Sequence, residues 1–164
     1  MILQYFKKKE NKYKDQADEI YLKILQESKN LMKKNYFNEV NFDSSFELIT
    51  ILLIFYLKTF DSDNQYIKKK INDELMQNFI NDLDTSIREI GIGDMVIGKY
   101  VKKYVKKFYY RVKIIDNILE NENYIKFVDY LNSLKFINNK NTKNMASALF
   151  IKFDKIKITS VYCS

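Results

Sequence analysis

The residues of this chain that could take part in chemistry are charged rather than nucleophilic. The 164-residue sequence has no histidine, and its single cysteine is Cys163. Histidine is the commonest general base and metal ligand, and a reactive thiol needs an electropositive local environment. We therefore expect no catalytic residue, no metal site and no cofactor, and we predict that the charged residues serve binding.

The charges change sign across the stretch DLDTSIREIGIGDMVIGKYVKKYVKKFYYRV, residues 82–112. Residues 73–94 include six acidic side chains and one basic side chain, whereas residues 95–113 include no acidic one. The basic residues of the second segment are Lys99, Lys102, Lys103, Lys106, Lys107, Arg111 and Lys113. In an antiparallel helix pair Asp84 would lie near Lys103, but exposed ion pairs contribute only about 0–1 kcal/mol each. Because the lysines outnumber the facing carboxylates, we expect a net basic face to remain.

The elements that position these charges are predicted to be helices. The chain has no proline and only three glycines, so few residues interrupt a helix. Apolar residues recur at intervals of three and four, which predicts helices at about 17–34, 46–60, 64–90, 97–119 and 122–132 and another from about Thr142 onwards. We therefore predict an all-α fold, a single-domain helical bundle of about five to six helices.

The second of these helices is apolar on every side. Its sequence, FELITILLIFYLKTF, is shorter than the ~20 residues of a membrane span and contains Glu47 and Thr50. We expect it to be the buried central helix of the bundle rather than a transmembrane segment. Ser44 precedes Glu47 by three residues, a spacing that predicts a capping box at the start of the helix.

Only the middle of the chain is predicted to be a folded domain. We assign residues 1–14 to a flexible basic N-terminal segment, 15–152 to the helical domain and 153–164 to an extended or frayed tail. The N-terminal segment begins with apolar residues and continues with Lys7–Lys9, so a weak tether to a membrane surface is an alternative interpretation.

The three glycines predict a short corner between the third and fourth helices. We expect the third helix to stop at Ile90, with Gly91 in the left-handed conformation that glycine adopts at least cost. Gly93 would allow a tight turn, Asp94 would accept N–H hydrogen bonds from the following turn, and Gly98 would lie at the start of the next helix. The segment lacks the spacing and the terminal serine or threonine of a phosphate-binding P-loop.

Thirteen residues at this corner, DLDTSIREIGIGD at 82–94, form a specific motif together with VIGK at 96–99 and FYYR at 108–111. These motifs closely resemble the signature of the ubiquinol–cytochrome c chaperone family. Further similarities lie at Ala17 and Tyr21, at Asn35-Tyr36-Phe37 followed by Asp43, and at Phe46–Thr50, which resembles the family's RFELI-type helix start. The resemblance covers roughly residues 17–115.

The chain departs from the family's pattern at three positions. Leu52 stands where the family often has a histidine, Ser45 where it often has an arginine, and Tyr110 where the F-Y-G-R motif has a glycine. The last substitution places a larger side chain on the surface of the fourth helix.

The resemblance implies an all-helical assembly factor for respiratory complex III that performs no covalent chemistry. Family members bind newly made cytochrome b near the membrane and, in mitochondria, at the ribosomal exit tunnel, and they work with a small partner protein. The resemblance also implies that a set of residues either locks the corner or contacts the client or a partner: Asp82, Asp84, Arg88, Glu89, Gly91, Gly93, Asp94 and Gly98. We expect Arg88 to be a lock, because an arginine at a helix end beside several carboxylates usually pairs with one.

The basic side of the fourth helix is predicted to be a docking face. Its residues are Lys99, Lys102, Lys103, Lys106, Lys107 and Arg111. At about 1 kcal/mol for each lysine near an anionic membrane, three or four of them would support reversible docking on a membrane, and a ribosome is the other anionic surface we consider. We expect a protein of the bacterial cytoplasm that is peripheral to the inner membrane, or one on the matrix side of the mitochondrial membrane in a eukaryote.

The alternative function is an RNA- or ribosome-binding helical module that uses the same basic face, from Lys99 to Lys113. Its affinity would fall steeply with salt, because each neutralised phosphate releases counterions. Tyr104 and Phe108 fall on the apolar core stripe, so the sequence offers no evident surface for base stacking. DNA is not an expected partner.

Overall fold

The protein's structure, a computed structural model, describes residues 2–59 and 65–162, with side chains described within 12–59 and 65–157. These residues form six helices: α1 (Ile2–Met32), α2 (Phe42–Thr59), α3 (Gln65–Glu89), α4 (Asp94–Glu120), α5 (Tyr124–Asn132) and α6 (Thr142–Tyr162). In this part of the chain no strand forms, and one isolated antiparallel bridge pairs Phe37 with Ile137. The predicted all-α fold is confirmed.

Helix α2 lies at the centre of the bundle and packs against α1, α4 and α6. Helix α3 packs on α1 and α4, and α5 packs on α4 and α6. Leu48, Ile51, Leu52 and Phe55 of α2 are almost completely buried, as predicted for a helix that is apolar on every side. Within the described residues, no helix combines the length and the apolarity needed to cross a bilayer.

The apolar stripes predicted for the outer helices are buried in the bundle. Ala17 and Ile24 of α1 are inaccessible to solvent, and Phe108 and Ile115 of α4 are nearly so. The ring centroids of Phe79 and Phe108 lie 5.2 Å apart, which joins α3 to α4. Each large apolar side chain buried in this way contributes about 1.5–3 kcal/mol, so these stripes hold the helices together.

The outer ends of two helices differ from the predictions. Helix α1 begins at Ile2 instead of near residue 17, and α6 continues to Tyr162, so the tail predicted to be extended or frayed from residue 153 onwards is helical as far as 162. The tail alternates like a strand, but a strand needs a partner strand, and no proline or glycine interrupts the helix here. Phe153 packs edge-on against Phe55 instead, with ring centroids 5.2 Å apart.

Some sequence predictions concern residues whose placement the structure does not describe. The side chains of the proposed N-terminal tether, among them Lys7–Lys9, lie outside the described side chains, and Cys163 lies outside the described residues. The division into segments 1–14, 15–152 and 153–164 stays a prediction, as does the flexibility of the first segment.

The capping box at the start of α2 forms one turn earlier than predicted. The Asn41 side-chain oxygen accepts a hydrogen bond from the Ser44 N–H at 3.0 Å, and the Ser44 hydroxyl accepts one from the Asn41 N–H at 2.8 Å. Asparagine is as good an N-cap as serine, and α2 therefore begins at Phe42. Glu47 is consequently an interior residue of the helix and is free for another role.

The structure confirms the predicted corner between α3 and α4 at Gly91. The Gly91 N–H donates to the Arg88 carbonyl at 2.9 Å and the Ile92 N–H donates to the Ile87 carbonyl at 3.4 Å, the two hydrogen bonds of a Schellman motif. Gly91 has φ +89°, a conformation that favours glycine. The N-cap of α4 is Gly93, which has no side chain to accept a cap hydrogen bond.

Two glycine-to-alanine substitutions should change stability in opposite directions. An added Cβ would contact nothing within 4 Å at either Gly91 or Gly98, so only the backbone conformation distinguishes them. Gly91→Ala should lower the free energy of unfolding by about 1–2 kcal/mol, the cost of a left-handed L-residue. Gly98→Ala should raise it by about 0.5–1 kcal/mol, because alanine is the better helix former. Urea denaturation of both variants checks this, and a shift of the same sign in both would contradict the account of the corner.

Candidate functional site

Arg88 bridges the two helices that meet at the glycine corner. Its Nε donates a hydrogen bond to Asp84 at 2.7 Å, and its Nη1 pairs with the carboxylate of Asp94. The bond to Asp84 is the main reason that the pKa of Arg88 lies above its usual value. This is the locking role predicted for Arg88. The cap role predicted for Asp94 is wrong, because its carboxylate is turned back towards α3.

The other two acidic residues of the motif differ in environment. Asp82 accepts a hydrogen bond from the Tyr21 hydroxyl at 2.7 Å and so ties α3 to α1. Burial and this hydrogen bond raise the pKa of Tyr21 far above its ordinary value. Glu89 is exposed at the end of α3 and, within the described part of the chain, has no ion pair. Its role in client contact stays a prediction.

The most buried charge in the described residues is Glu47, which sequence reasoning assigned to a helix cap. Its side chain is 2% exposed and accepts two hydrogen bonds from Arg111, at Nε and Nη2, each 2.9 Å long. Lys107 lies 2.9 Å away, and the Tyr130 hydroxyl of α5 donates at 3.4 Å. One carboxylate therefore joins α2, α4 and α5. The signal in the sequence that could have revealed this network was a single glutamate within an apolar helix, because a buried charge needs a partner.

Lys107 and Arg111 are therefore only partly available to an external partner. Arg111 is 17% exposed in its side chain; burial is the largest single influence and lowers its pKa, but the hydrogen bonds to Glu47 and the charges of Tyr130, Glu47 and Tyr110 together raise the pKa above its usual value. Lys107 also lies 3.5 Å from Asp43 and 5.0 Å above the centroid of the Phe46 ring. Both residues were predicted to belong to the docking face, and the structure places them mainly in the bundle's internal ion network.

Four lysines of the predicted docking face remain on the outer surface of α4. Lys99, Lys102 and Lys106 are exposed, and none has a carboxylate within 4 Å among the described residues. Lys103 is also exposed, with its ammonium group 5.9 Å from the ring centroids of Tyr100 and Tyr104. The predicted proximity of Lys103 to Asp84 gives no ion pair, because Asp84 pairs with Arg88. We call Lys99, Lys102, Lys103 and Lys106 the basic face.

A groove runs along this basic face. Its volume is about 720 Å³, and the described part of its wall extends along α4 from Lys99 to Tyr110. Tyr109 and Tyr110 are both exposed, so aromatic rings do lie among the lysines. Sequence reasoning considered only Tyr104 and Phe108, which are buried as predicted. It placed Tyr110 on the helix surface but did not connect Tyr109 or Tyr110 with the lysines, because the helical stripe was used to find the core and not the surface.

An apolar tip adjoins the basic face at the glycine corner. Met95 is fully exposed, and Ile90 and Val96 are about half exposed. Ile90 was predicted to lie on the apolar stripe of α3, and it is exposed because the helix ends at Glu89. The tip and the basic face together can bind a surface that is apolar and anionic at once. No group of three or more possible metal ligands occurs in the described residues.

Removal of the buried carboxylate should destabilise the bundle strongly. Glu47→Gln leaves Arg111 and Lys107 without their shared counter-charge, and breaking one side of a buried ion pair costs about 3–5 kcal/mol. Asp43→Asn is the matched control, because Asp43 is half exposed and its pair with Lys107 is worth about 0–1 kcal/mol. Urea unfolding measures both changes, and equal losses in the two variants would contradict a buried network centred on Glu47.

Tyr104 should make stability depend on alkaline pH. Burial, followed by the charge of Asp43 and a 3.1 Å hydrogen bond to it, raises the pKa of Tyr104 to about 12, whereas an unfolded tyrosine titrates near 10. A raised folded-state pKa means that the contribution is complete below pH 10 and is lost as the pH rises from 10 to 12. The free energy of unfolding of Tyr104→Phe should therefore fall less steeply over that interval than that of the unmodified protein. Identical slopes would contradict the assignment.

Comparison with known proteins covers the same helices. A family model described as Ubiquinol-cytochrome C chaperone matches residues 35–126, more than half of the chain. The fold is similar to that in the crystal structure of the Cbp3 homolog from Brucella abortus, with a TM-score of 0.76 and 22% sequence identity over 96% of this chain and 88% of that chain. At this identity the likeness shows the fold alone. No curated protein matches the sequence.

The matched segment contains the residues that build the corner and the buried network. Glu47, Arg88 and Arg111 all lie within it, and so do the three glycines. The charged residues and glycines of the sequence motif thus make the contacts that join α2, α3 and α4. On the strength of this match, the chain belongs to the ubiquinol–cytochrome c chaperone family.

Proposed function

We propose that this protein is a non-catalytic chaperone for complex III assembly that holds newly made cytochrome b at the membrane. Membership of the family implies a chaperone with a client in the assembly of that complex and a non-enzymatic role. The proposal rests further on the outer surface of α4. The four lysines of the basic face have no carboxylate partner among the described residues, and the exposed apolar tip adjoins them.

The basic face would hold the protein on an anionic membrane surface. Each lysine near such a surface contributes about 1 kcal/mol, so four give roughly 4 kcal/mol. That attraction allows the protein to dock and to leave again, as a chaperone must when its client is released. The two anionic alternatives, lipid headgroups and ribosomal RNA, are distinguished by experiment below. We place the protein at the cytoplasmic side of the inner membrane, or on the matrix side in a eukaryote.

The apolar tip would contact the client. Ile90, Met95 and Val96 are exposed together at a rigid corner, and exposed apolar groups of this kind commonly mark interaction sites. An unassembled membrane subunit such as cytochrome b presents apolar helices that such a tip could cover. A small co-chaperone subunit is a further proposed partner.

Charge reversal on the basic face should weaken membrane docking. In the triple variant Lys99→Glu, Lys102→Glu and Lys106→Glu, none of the changed lysines loses an internal ion pair, so the fold should persist. We expect binding to vesicles of phosphatidylglycerol and phosphatidylcholine to fall by about 100-fold, since each reversed lysine removes about 1 kcal/mol or more. Vesicle cosedimentation at fixed salt provides the measurement.

The matched control carries the same charge change on other exposed lysines. Lys23→Glu, Lys140→Glu and Lys143→Glu alter α1, the loop before α6 and α6 itself. We expect this control to retain most of the vesicle affinity. Equal losses in the two triple variants would show that only net charge matters and would remove the basic face from the proposal.

Substitution at the apolar tip should reduce client binding without reducing stability. Met95 makes no buried contact, so Met95→Asp should leave the free energy of unfolding within about 0.5 kcal/mol of the original value. We expect less cytochrome b to copurify with this variant from detergent-solubilised membranes, quantified by haem absorbance and immunoblotting. Ile125→Asp, at an exposed apolar residue of α5, is the control. Unchanged copurification with Met95→Asp would exclude the tip as the client site.

The RNA-binding alternative gains one observation from the structure. Tyr109 and Tyr110 are exposed beside the basic face, and exposed aromatic rings among lysines are typical of single-stranded RNA sites. Affinity for a poly-uridine oligonucleotide measured across salt concentrations tests it, because phosphate neutralisation gives a steep dependence on salt. Undetectable affinity at low salt would exclude this alternative.

A further inference from the structure

Tyr110 forms part of the groove wall on α4. The side chain is 61% exposed and reaches outward from the helix beside the basic face. Without this side chain, that part of the wall would be absent. The groove therefore depends on Tyr110.

The groove combines apolar walls with cationic groups. Tyr100 and Tyr110 contribute rings, and the neighbouring lysines contribute methylene stems that end in ammonium groups. Its volume is about 720 Å³, it is open to solvent, and its described lining lies on the single helix α4. A ligand with an anionic end and an apolar body matches these walls.

The charge of three lysines of the groove is not neutralised by an acidic side chain among the described residues, so it is available to an anionic ligand. Lys99, Lys102 and Lys106 have no carboxylate within 4 Å there. Lys99, Lys103 and Lys106 share one face, because residues three and four apart are neighbours on a helix. Two adjacent ammonium groups are therefore placed to hold one phosphate group between them.

The tyrosine faces favour a lipid over a nucleic acid base. The ammonium group of Lys103 lies 5.9 Å from the Tyr100 ring centroid, and the guanidinium of Arg111 lies 5.7 Å from that of Tyr110. Each ring thus already has a cation over one face, which reduces the aromatic surface open to base stacking. Met95, one turn before Lys99, adds an exposed apolar group that suits a membrane interface.

We propose that the groove on α4 binds a single anionic phospholipid molecule. Its phosphate lies between Lys103 and Lys106, and its glycerol and first methylene groups lie along Tyr110, one helical turn after Lys106. The inference rests on the proposed membrane docking and deepens it. General electrostatic docking would need only the lysines, whereas a lipid site also needs the tyrosine wall.

A lipid that is monomeric in solution distinguishes a lipid site from general electrostatic docking. We would titrate the full-length protein with dihexanoyl phosphatidylglycerol below its micelle concentration and follow backbone amide resonances by NMR. We expect saturable shifts along α4 and an affinity for dihexanoyl phosphatidylcholine about tenfold weaker, equivalent to losing one charged contact. Tyr110→Ala should weaken phosphatidylglycerol binding by about tenfold. Tyr109→Ala is the matched control, because Tyr109 is equally exposed but does not line the groove, and it should bind normally.

Each outcome decides between the proposals. Saturable binding that is lost in Tyr110→Ala and kept in Tyr109→Ala supports the lipid site. If anionic vesicles bind but the monomeric lipid does not, the lipid site is overturned and membrane docking survives. If neither binds, both fail. Inorganic phosphate that binds as tightly as the lipid, or poly-uridine binding that depends on Tyr110, would overturn the phospholipid assignment in favour of a plain anion site or an RNA site.

Discussion

The carboxylate of Glu47 sets how α4 is rotated within the bundle. It receives both hydrogen bonds of the Arg111 guanidinium and the ammonium group of Lys107, and these two residues are one turn apart on the same side of α4. That side is thereby fixed towards α2, and the lysines on the other side of the helix must point outward. The pair of ion contacts from Lys58 to Asp116 and Glu120 repeats the restraint nearer the end of α4. Because the charge is buried and several donors satisfy it, a different rotation would leave Glu47 without partners at a cost of several kcal/mol.

The corner fixes the other degree of freedom, the direction in which α4 leaves α3. Gly91 ends α3 in a conformation that other residues adopt only with strain, and Arg88 then ties both helix ends through Asp84 and Asp94. The contacts of Arg88 are exposed and hold the geometry rather than supply much stability. Together the buried carboxylate of Glu47 and the exposed side chain of Arg88 hold α4 in one orientation. The basic face and the apolar tip are therefore presented together.

The sequence predicted the parts of this structure that depend on neighbouring residues. Helical spacing identified the buried stripes, and the position of Gly91 identified the end of α3, because both follow from local geometry. The role of Glu47 depends on Arg111, 64 residues further along the chain, and no local pattern pairs them. The capping error was local instead, because Asn41 is as good an N-cap as Ser44 and precedes it by one turn. The sequence placed Tyr110 on the helix surface, but its relation to the lysines depends on the groove around it.

The most direct measurement of this account is the depth of α4 relative to a bilayer. A nitroxide label can be attached at Met95→Cys, Lys102→Cys or Lys143→Cys in a Cys163→Ser background, and its accessibility to oxygen and to a nickel chelate can be read by electron paramagnetic resonance on vesicles containing phosphatidylglycerol. The account predicts that positions 95 and 102 both lie at the headgroup interface and that position 143 lies in water. A bound protein with positions 95 and 102 both in water would contradict the claim that α4 is the docking surface.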